Sequence, residues 1–143
     1  MADPETAVAL RGGELNATIS KAVVQSFSEY IGRGPTKART SIRDDLVVCL
    51  LENSLTRAER SLVTGGREQL VLDTRRAFQS TMRNDLVAAV ERLSGRTVVA
   101  FMSDNHIDPD IATETFLLAP ALVASAHANN NHAGPNSDHA SPR

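Results

Sequence analysis

The chain has 143 residues, a formal net charge of −2 and one cysteine. This length suits a single domain, and so small a net charge excludes a general electrostatic attraction to nucleic acid or to an anionic membrane. A lone cysteine excludes an internal disulfide, and Cys49 stands in the apolar run LVVCLL, where a buried and unreactive thiol is expected. We therefore predict a cytoplasmic protein that has no nucleic-acid partner.

The two ends of the chain differ in composition from its middle. Residues 126–143, AHANNNHAGPNSDHASPR, have almost no apolar side chains, so burial cannot offset the entropy cost of ordering them. We predict a frayed N-terminus over 1–12, a single domain over 13–120 and a disordered polar tail over 121–143. No apolar run reaches the roughly 18 residues that span a bilayer, so no direct membrane insertion is expected.

The first predicted element is a helix over residues 13–32, followed by a hairpin. Apolar side chains recur every four positions along the helix, at Leu15, Ile19, Val23, Phe27 and Ile31. That spacing forms one buried stripe, and Gly32 is a natural C-terminal stop. KARTSIR (37–43) alternates apolar and polar side chains like a half-buried strand, and LVVCLLE (46–52) returns as a strand that is apolar on both faces.

Two helices are predicted next. Thr56 and Glu59 match a capping box, and Gly65 with Gly66 interrupts the helix that begins there. A longer helix follows over about residues 67–93, with a predicted inward stripe of Leu70, Thr74, Ala77, Phe78, Thr81, Met82, Leu86, Ala89, Val90 and Leu93. It would be on the order of 40 Å long, more than the roughly 25–30 Å width of so small a domain. Such a helix either kinks or packs one end against a second copy, and we predict a homodimer that uses this helix or the first one.

Two more strands are predicted, RTVVAFMS (96–103) and IATETFLLA (111–119), with the loop DNHIDPD between them. The order is therefore helix–strand–strand, then helix–strand–strand. Both long helices end in Gly-Arg, at 32–33 and 95–96, as a distant internal repeat would. We predict an α+β fold, a four-stranded and mostly antiparallel sheet with its helices packed on one face.

The segment FMSDNHIDPD places Asp104, His106, Asp108 and Asp110 on alternate positions. Asp and His are common metal ligands, but these four would share one face only if the whole segment were a strand, which Pro109 disfavours. Asp is also frequent in turns, where its carboxylate accepts backbone N–H groups. We favour a loop over a metal site, predict no metal or other cofactor, and keep His106 as a functional candidate.

The segment GRGPTKART is the second candidate. Gly32 and Gly34 permit close backbone approach, and Arg33, Lys37 and Arg39 could hold a phosphate or a carboxylate. The spacing of a Walker A loop is absent. The alternative, which we favour, is a helix stop, a turn and a strand whose charged outer face is solvated. No Ser–His–Asp or Cys–His catalytic set can be recognised in the sequence, which favours a function without catalysis.

The strings GRGPTK and SDNHIDPD, with RRAFQSTMRNDLVAAVERL between them, resemble a small bacterial family over roughly Gly13 to Pro120. That family was long known only as a domain of unknown function. It is now named for the C component (MpsC) of a Na+-translocating, membrane-potential-generating system. The resemblance implies a cytosolic accessory protein associated with a membrane system, and it carries over no catalytic residues.

Two functional hypotheses follow. The first is a soluble, non-catalytic accessory or regulatory module, docked through its basic and acidic loops on a subunit of a cation-translocating complex at the inner face of the membrane. The second is a small anion- or metal-binding sensor or enzyme that uses the same two loops. Both hypotheses rest on the same candidate binding residues: Arg33, Gly34, Lys37, Arg39, Asp104, His106, Asp108 and Asp110.

Overall fold

The computed structural model describes residues 10–120 of the chain. Within them the elements are α1 (Gly12–Ile31), β1 (Lys37–Arg43), β2 (Leu46–Glu52), α2 (Arg57–Thr64), α3 (Glu68–Ser94), β3 (Val98–His106) and β4 (Ile111–Leu118). The predicted order of helices and strands is confirmed. The predictions made for residues 1–9 and for the tail 121–143 lie outside the described residues.

The strands form one four-stranded antiparallel sheet in the order β1-β2-β4-β3. β2 and β4 are the central neighbours, with Cys49 opposite Glu114, and β1 and β3 are the edges. Each long helix is therefore followed by a hairpin, and the two hairpins join through their second strands. This arrangement confirms the predicted α+β fold and its four-stranded sheet.

The core lies between α1, α3 and one face of the sheet, which we name the inner face. α1 contributes Ile19, Val23 and Phe27, as its four-residue spacing predicts. The sheet and α3 supply the other buried apolar residues: Val47, Cys49, Leu51, Met82, Leu86, Val90, Ala112, Phe116 and Leu118. The predicted burial of Cys49 is confirmed, and that burial raises the pKa of its thiol.

The predicted inward stripe of α3 is wrong in the N-terminal half of the helix. Leu70 is 50% exposed and Phe78 is 38% exposed. The other predicted positions of that half are exposed as well: Thr74, Ala77 and Thr81. The buried positions there are Val71, Arg75 and Gln79. Apolar periodicity misses this face because two of its three inward residues are polar and find their hydrogen-bond partners inside the domain.

The predicted signals at the helix ends are confirmed. Gly32 after α1 and Gly95 after α3 have left-handed backbones, with φ of 87° and 70°, a conformation that glycine adopts without strain. At the start of α2, the Thr56 side chain accepts the backbone N–H of Glu59, and the Glu59 carboxylate accepts the backbone N–H of Thr56. This is the capping box that the sequence predicts.

Candidate functional site

The basic segment after α1 is held in place by its neighbours. Arg33 is half-buried, and its Nη1 donates to the carbonyl oxygen of Leu55 at 2.7 Å. Gly34 lies so close to α1 that an added Cβ would stand 2.7 Å from Ser28 Oγ. The contacts of Arg33 and Gly34 are therefore those of a tightly packed turn.

Lys37 and Arg39 lie on β1, with side chains that are 61% and 60% exposed. Both are near Glu52 of β2, at nitrogen–oxygen distances of 3.8 and 3.5 Å. Exposed ion pairs of this kind contribute roughly 0–1 kcal/mol. The two cations are therefore available to a binding partner, and the predicted charged outer side of β1 is confirmed.

The acidic segment is divided between a strand and a turn. Asp104 and His106 lie on one side of β3, whereas Asp108 and Asp110 lie in the turn that follows. The predicted loop therefore begins too early. The ladder between β3 and β4 continues to the pair His106–Ile111, and its backbone hydrogen bonds override the tendency of aspartate to form turns.

Asp110 has the largest number of contacts among the acidic candidates. Its carboxylate oxygens accept the backbone N–H groups of Ser54 and Leu55 at 3.2 and 3.1 Å, and Arg60 Nη2 is 3.5 Å away. The His106 ring lies over the turn, with Nδ1 2.9 Å from the carbonyl oxygen three residues on. The Asp110 contacts join the β3–β4 turn to the segment between β2 and α2, whereas the His106 contact lies within the turn.

The basic and acidic segments lie at one end of the sheet but on opposite edges. Lys37 pairs with Glu52, Glu52 with Ile111, and Ile111 with His106. Edge strands that are separated by two central strands lie about 14 Å apart. The structure therefore places Lys37 and Arg39 at one edge, and Asp104 and His106 at the other. Arg33 and Asp110 come closer together, because both are hydrogen-bonded to the backbone of Leu55.

A depression of about 440 Å³ lies beside the β3–β4 turn. Arg60, Asp108 and Asp110 line it, together with Asn53 and Thr64. Within residues 10–120, no group of three or more His, Cys, Asp or Glu side chains could hold a metal ion. The depression therefore presents one cation and two carboxylates to a small polar molecule.

A buried polar layer, which the sequence analysis missed, lies between α3 and the rest of the domain. Arg75 is fully buried and donates to both carboxylate oxygens of Glu59 at 2.7 Å. It also donates to the hydroxyl and the carbonyl oxygen of Ser54 at 2.9 and 2.6 Å. Burial alone would raise the pKa of Glu59, but hydrogen bonds from Arg75 and Thr56 outweigh it and hold the pKa below its ordinary value.

Glu114 of β4 is the second buried carboxyl in this layer. It accepts from Gln79 Nε2 at 2.9 Å and from the Ser103 hydroxyl, and the amide of Gln79 is paired with Asn105. Burial raises the pKa of Glu114 to about 7, against the opposing effects of those hydrogen bonds and of the Arg75 charge. Gln79 and Ser103 line a depression of about 230 Å³, whereas Glu114 itself is fully buried.

The other side of the sheet, which we name the outer face, is apolar at its centre. Side chains alternate along each strand, so the central strands direct outward Leu46, Val48, Leu50, Glu52, Ile111, Thr113, Thr115 and Leu117. Leu117 is 40% exposed, and Val99 and Met102 on β3 are 58% and 57% exposed. Nothing within residues 10–120 covers this face, because both long helices pack on the inner one.

The two edges of the outer face carry opposite charges. On β1, the hydroxyls of Thr40 and Ser20 of α1 are 2.7 Å apart, so the alternate side chains point outward: Lys37, Arg39 and Arg43. On β3, Asn105 points inward to Gln79, so its neighbour Asp104 points outward. The outer face therefore has a basic edge on β1 and an acid on β3.

A groove of about 580 Å³ lies between α1 and β1. Ala17, Val24 and Ala38 form its apolar part, and Glu14 and Lys21 contribute charges. β1 is an edge strand, so its outer backbone groups have no strand partner within the part of the chain that the structure describes. We name this feature the α1–β1 groove.

The sheet, the helices on its inner face and the outer face with its charged edges define a small two-layer α+β protein. The chain belongs to the family described as Na+-translocating membrane potential-generating system (MpsC), whose family model matches residues 11–120. This match confirms the resemblance that the GRGPTK and SDNHIDPD strings indicate.

One similar protein has a name that states no activity. The chain is 29% identical over 94 residues to the uncharacterized protein YbcI of Bacillus subtilis (strain 168). That alignment covers 64% of this chain and 75% of YbcI. No solved structure matches the chain. Among the helices of residues 10–120, none combines the length and the apolar character needed to cross a membrane.

Proposed function

We propose that this protein is a non-catalytic accessory component of a Na+-translocating, membrane-potential-generating system and acts by docking on another subunit. Family membership supports association with such a system. The observation that supports docking most directly is the open edge of β1 beside the α1–β1 groove. An edge strand presents backbone N–H and C=O groups that can pair with an extended segment of another protein.

The chemistry of this edge favours an acidic partner segment. Side chains of an added strand would alternate, and every second one would meet the apolar part of the groove at Ala17, Val24 and Ala38. Lys21 lines the groove, and Lys37 begins the strand. Their charges disfavour the pairing of two β1 edges with each other and attract carboxylates.

Docking of this kind would hold the protein at the inner face of the membrane through its partner. Charged groups at the rim of an interface act mainly on the rate of association and on its salt dependence. Association with the membrane complex should therefore weaken as the salt concentration rises, because exposed charges are screened over about 10 Å at 0.1 M ionic strength.

The test is a pull-down from membranes of the native host, at low and high salt, with the wild type and with Lys21→Glu combined with Lys37→Glu. We expect the double reversal to lose the membrane subunit that the wild type retains at low salt. The matched control is Arg57→Glu with Arg76→Glu, two exposed positions away from the groove that give the same change in charge. Equal retention by both double variants would refute docking at this edge.

One observation favours the second candidate function, a small anion- or metal-binding sensor or enzyme. The depression beside the β3–β4 turn contains Arg60, Asp108 and Asp110. Against it, Asp110 is already bonded to two backbone N–H groups and Arg33 to a carbonyl oxygen. Melting curves with inorganic phosphate, Mg2+ and Ca2+ separate the two functions, since a ligand that binds only the folded state raises the melting temperature.

A further inference from the structure

The outer face of the sheet is apolar where a solvated face would be polar. An antiparallel sheet that is covered on one side normally alternates apolar residues inward and polar residues outward. β2 breaks this rule, because Val48 and Leu50 point outward between the buried Val47, Cys49 and Leu51. A strand that is apolar on both faces is suited to a sheet that is covered on both faces.

We propose that the outer face is covered by the outer face of a second copy of this chain, in a twofold-symmetric dimer whose axis runs parallel to the strands. The interface is distinct from the α1–β1 groove, which lies on the helix side of β1. In a twofold dimer, the same surface of each copy meets its equivalent, so the surface has to be complementary to itself.

The charges of the two edges select the direction of the axis. With the axis parallel to the strands, β1 of one copy lies over β3 of the other, and β2 lies over β4. With the axis perpendicular to the strands, β1 lies over β1, and the outward cations Lys37, Arg39 and Arg43 of both copies face each other. Like charges brought together in an interface cost several kcal/mol, so the parallel axis is favoured.

The register of the sheet then gives the contacts of the dimer. Arg39, Leu50, Thr113 and Asp104 form one row across the sheet. Turning this row over about the parallel axis sets Arg39 of one copy opposite Asp104 of the second copy, twice in each dimer. The same rotation brings the apolar centre of one outer face against that of the second copy.

The row at the opposite end of the sheet from Lys37 and His106 shows which apolar side chains meet in the dimer. Leu46 pairs with Leu117 across β2 and β4, so in the dimer each of these leucines lies over the other leucine of the second copy. Face-to-face sheets pack about 10 Å apart, a distance that interdigitated leucine side chains fill. The two leucines are 41% and 40% exposed in a single copy, and the dimer removes that area from water.

The first experiment measures the mass of the full chain in solution, by light scattering and sedimentation at tens of micromolar. We expect a dimer for the wild type and a monomer for Leu117→Glu and for Met102→Glu. Met102 is 57% exposed, so that variant keeps its fold even where Leu117→Glu does not. The control is Phe78→Glu, on the exposed side of α3, which should remain dimeric.

A charge exchange tests the direction of the axis. Arg39→Asp and Asp104→Arg should each raise the dimer dissociation constant by about tenfold, and the two together should restore it, since a reversed pair is again opposite in sign. A monomeric wild type, a dimer that only Phe78→Glu disrupts, or a double variant no tighter than the singles would overturn the proposal. A monomeric wild type would leave docking at the α1–β1 groove intact, because the residues that line the groove, Ala17, Lys21, Val24 and Ala38, lie on the helix side of β1 and not on the outer face.

Discussion

Arg75 and Glu59 form a doubly hydrogen-bonded ion pair inside the domain, with both nitrogen–oxygen distances at 2.7 Å. Arg75 is fully buried, and the Glu59 carboxylate also closes the capping box at the start of α2. One carboxylate therefore fixes the first turn of α2 and joins that helix to α3. The pair makes the orientation of α2 depend on a charge that water does not reach.

Replacing Glu59 with Gln should strongly destabilise the fold. The variant leaves the guanidinium of Arg75 buried without its counter-charge, which costs about 3–5 kcal/mol in comparable buried pairs. Urea unfolding at neutral pH measures the loss. Glu68→Gln is the control, an exposed acid in the first turn of α3, and should change stability by less than about 0.5 kcal/mol. Equal losses for the two variants would contradict a special role for the pair.

The buried polar layer around Arg75 and Glu114 also explains why the sequence-based prediction fails for part of α3. The stripe of α3 is correct at Met82, where the inward residues are apolar, and wrong toward the N-terminus. Toward the N-terminus, the positions of α3 on the same face as Met82 are Gln79 and Arg75. A search for apolar residues at helical spacing passes over them because both are polar. The signal that was missed is Glu114, an acid at an inward position of β4, where the other inward residues, Ala112, Phe116 and Leu118, are apolar. A buried acid requires polar partners, and here α3 supplies one of them with Gln79.

Glu114 should make the stability of the domain depend on pH. Its folded pKa is about 7, whereas the ordinary value is 4.5. Between these two values the unfolded chain releases this proton and the folded chain keeps it. Stability should therefore fall as the pH rises through that interval and then level off above it, by a total on the order of 3 kcal/mol.

The variant Glu114→Gln isolates this effect, because glutamine can still accept from Gln79 and donate to the Ser103 hydroxyl. Urea unfolding of both proteins between about pH 5 and pH 8 gives the difference in unfolding free energy. We expect the unfolding free energy of the variant to rise relative to that of the wild type up to about pH 7, and the difference to level off above it. A difference that stays constant over this range would show that the carboxyl is ionised in the fold.

Asp108 and Asp110 should behave differently although they are two residues apart. Asp110→Ala leaves the backbone N–H groups of Ser54 and Leu55 without their acceptor, so a loss of about 1–3 kcal/mol is expected. Asp108 is exposed, and Asp108→Ala should stay within about 0.5 kcal/mol of the wild type. Thermal or urea unfolding of the two variants makes the comparison, and equal effects would contradict it.

The same turn provides the test of metal binding. Calorimetric titration of the wild type with Mg2+ and Ca2+ should give no specific heat, because the carboxylate of Asp110 is already bonded to two backbone N–H groups and lies near Arg60. A stoichiometric site in the micromolar range that is lost in Asp108→Ala would overturn this expectation and support the sensor function.

The candidate site was harder to predict than the fold because its residues have two roles. The spacing of α1 and the alternation of β1 are properties of short segments, and both are confirmed. Whether Arg33 and Asp110 face a ligand or hold the backbone depends on the β2–α2 segment, to which both are bonded. Sequence spacing does not contain that contact, since Asp110 lies 56 positions from Ser54.

Gly34 should be required for packing. A Cβ at this position would stand 2.7 Å from Ser28 Oγ, 3.0 Å from Val24 Cγ1 and 3.1 Å from the backbone oxygen of Val24. The Ser28 hydroxyl can rotate away, but the backbone of α1 cannot, so the turn after α1 would have to move. Overpacking of this kind costs about 1–3 kcal/mol, and we expect Gly34→Ala to lose that much in urea unfolding.

Gly13→Ala is the matched control for this glycine. It lies in the first turn of α1, and an added Cβ there meets no atom within 4 Å. Alanine is favoured over glycine in a helix by about 1 kcal/mol at most, so this variant should be neutral or slightly more stable. If Gly34→Ala were equally harmless, then the close approach to α1 would not explain the glycine. A role of Gly34 in the close approach of a ligand or a partner would then be favoured over packing.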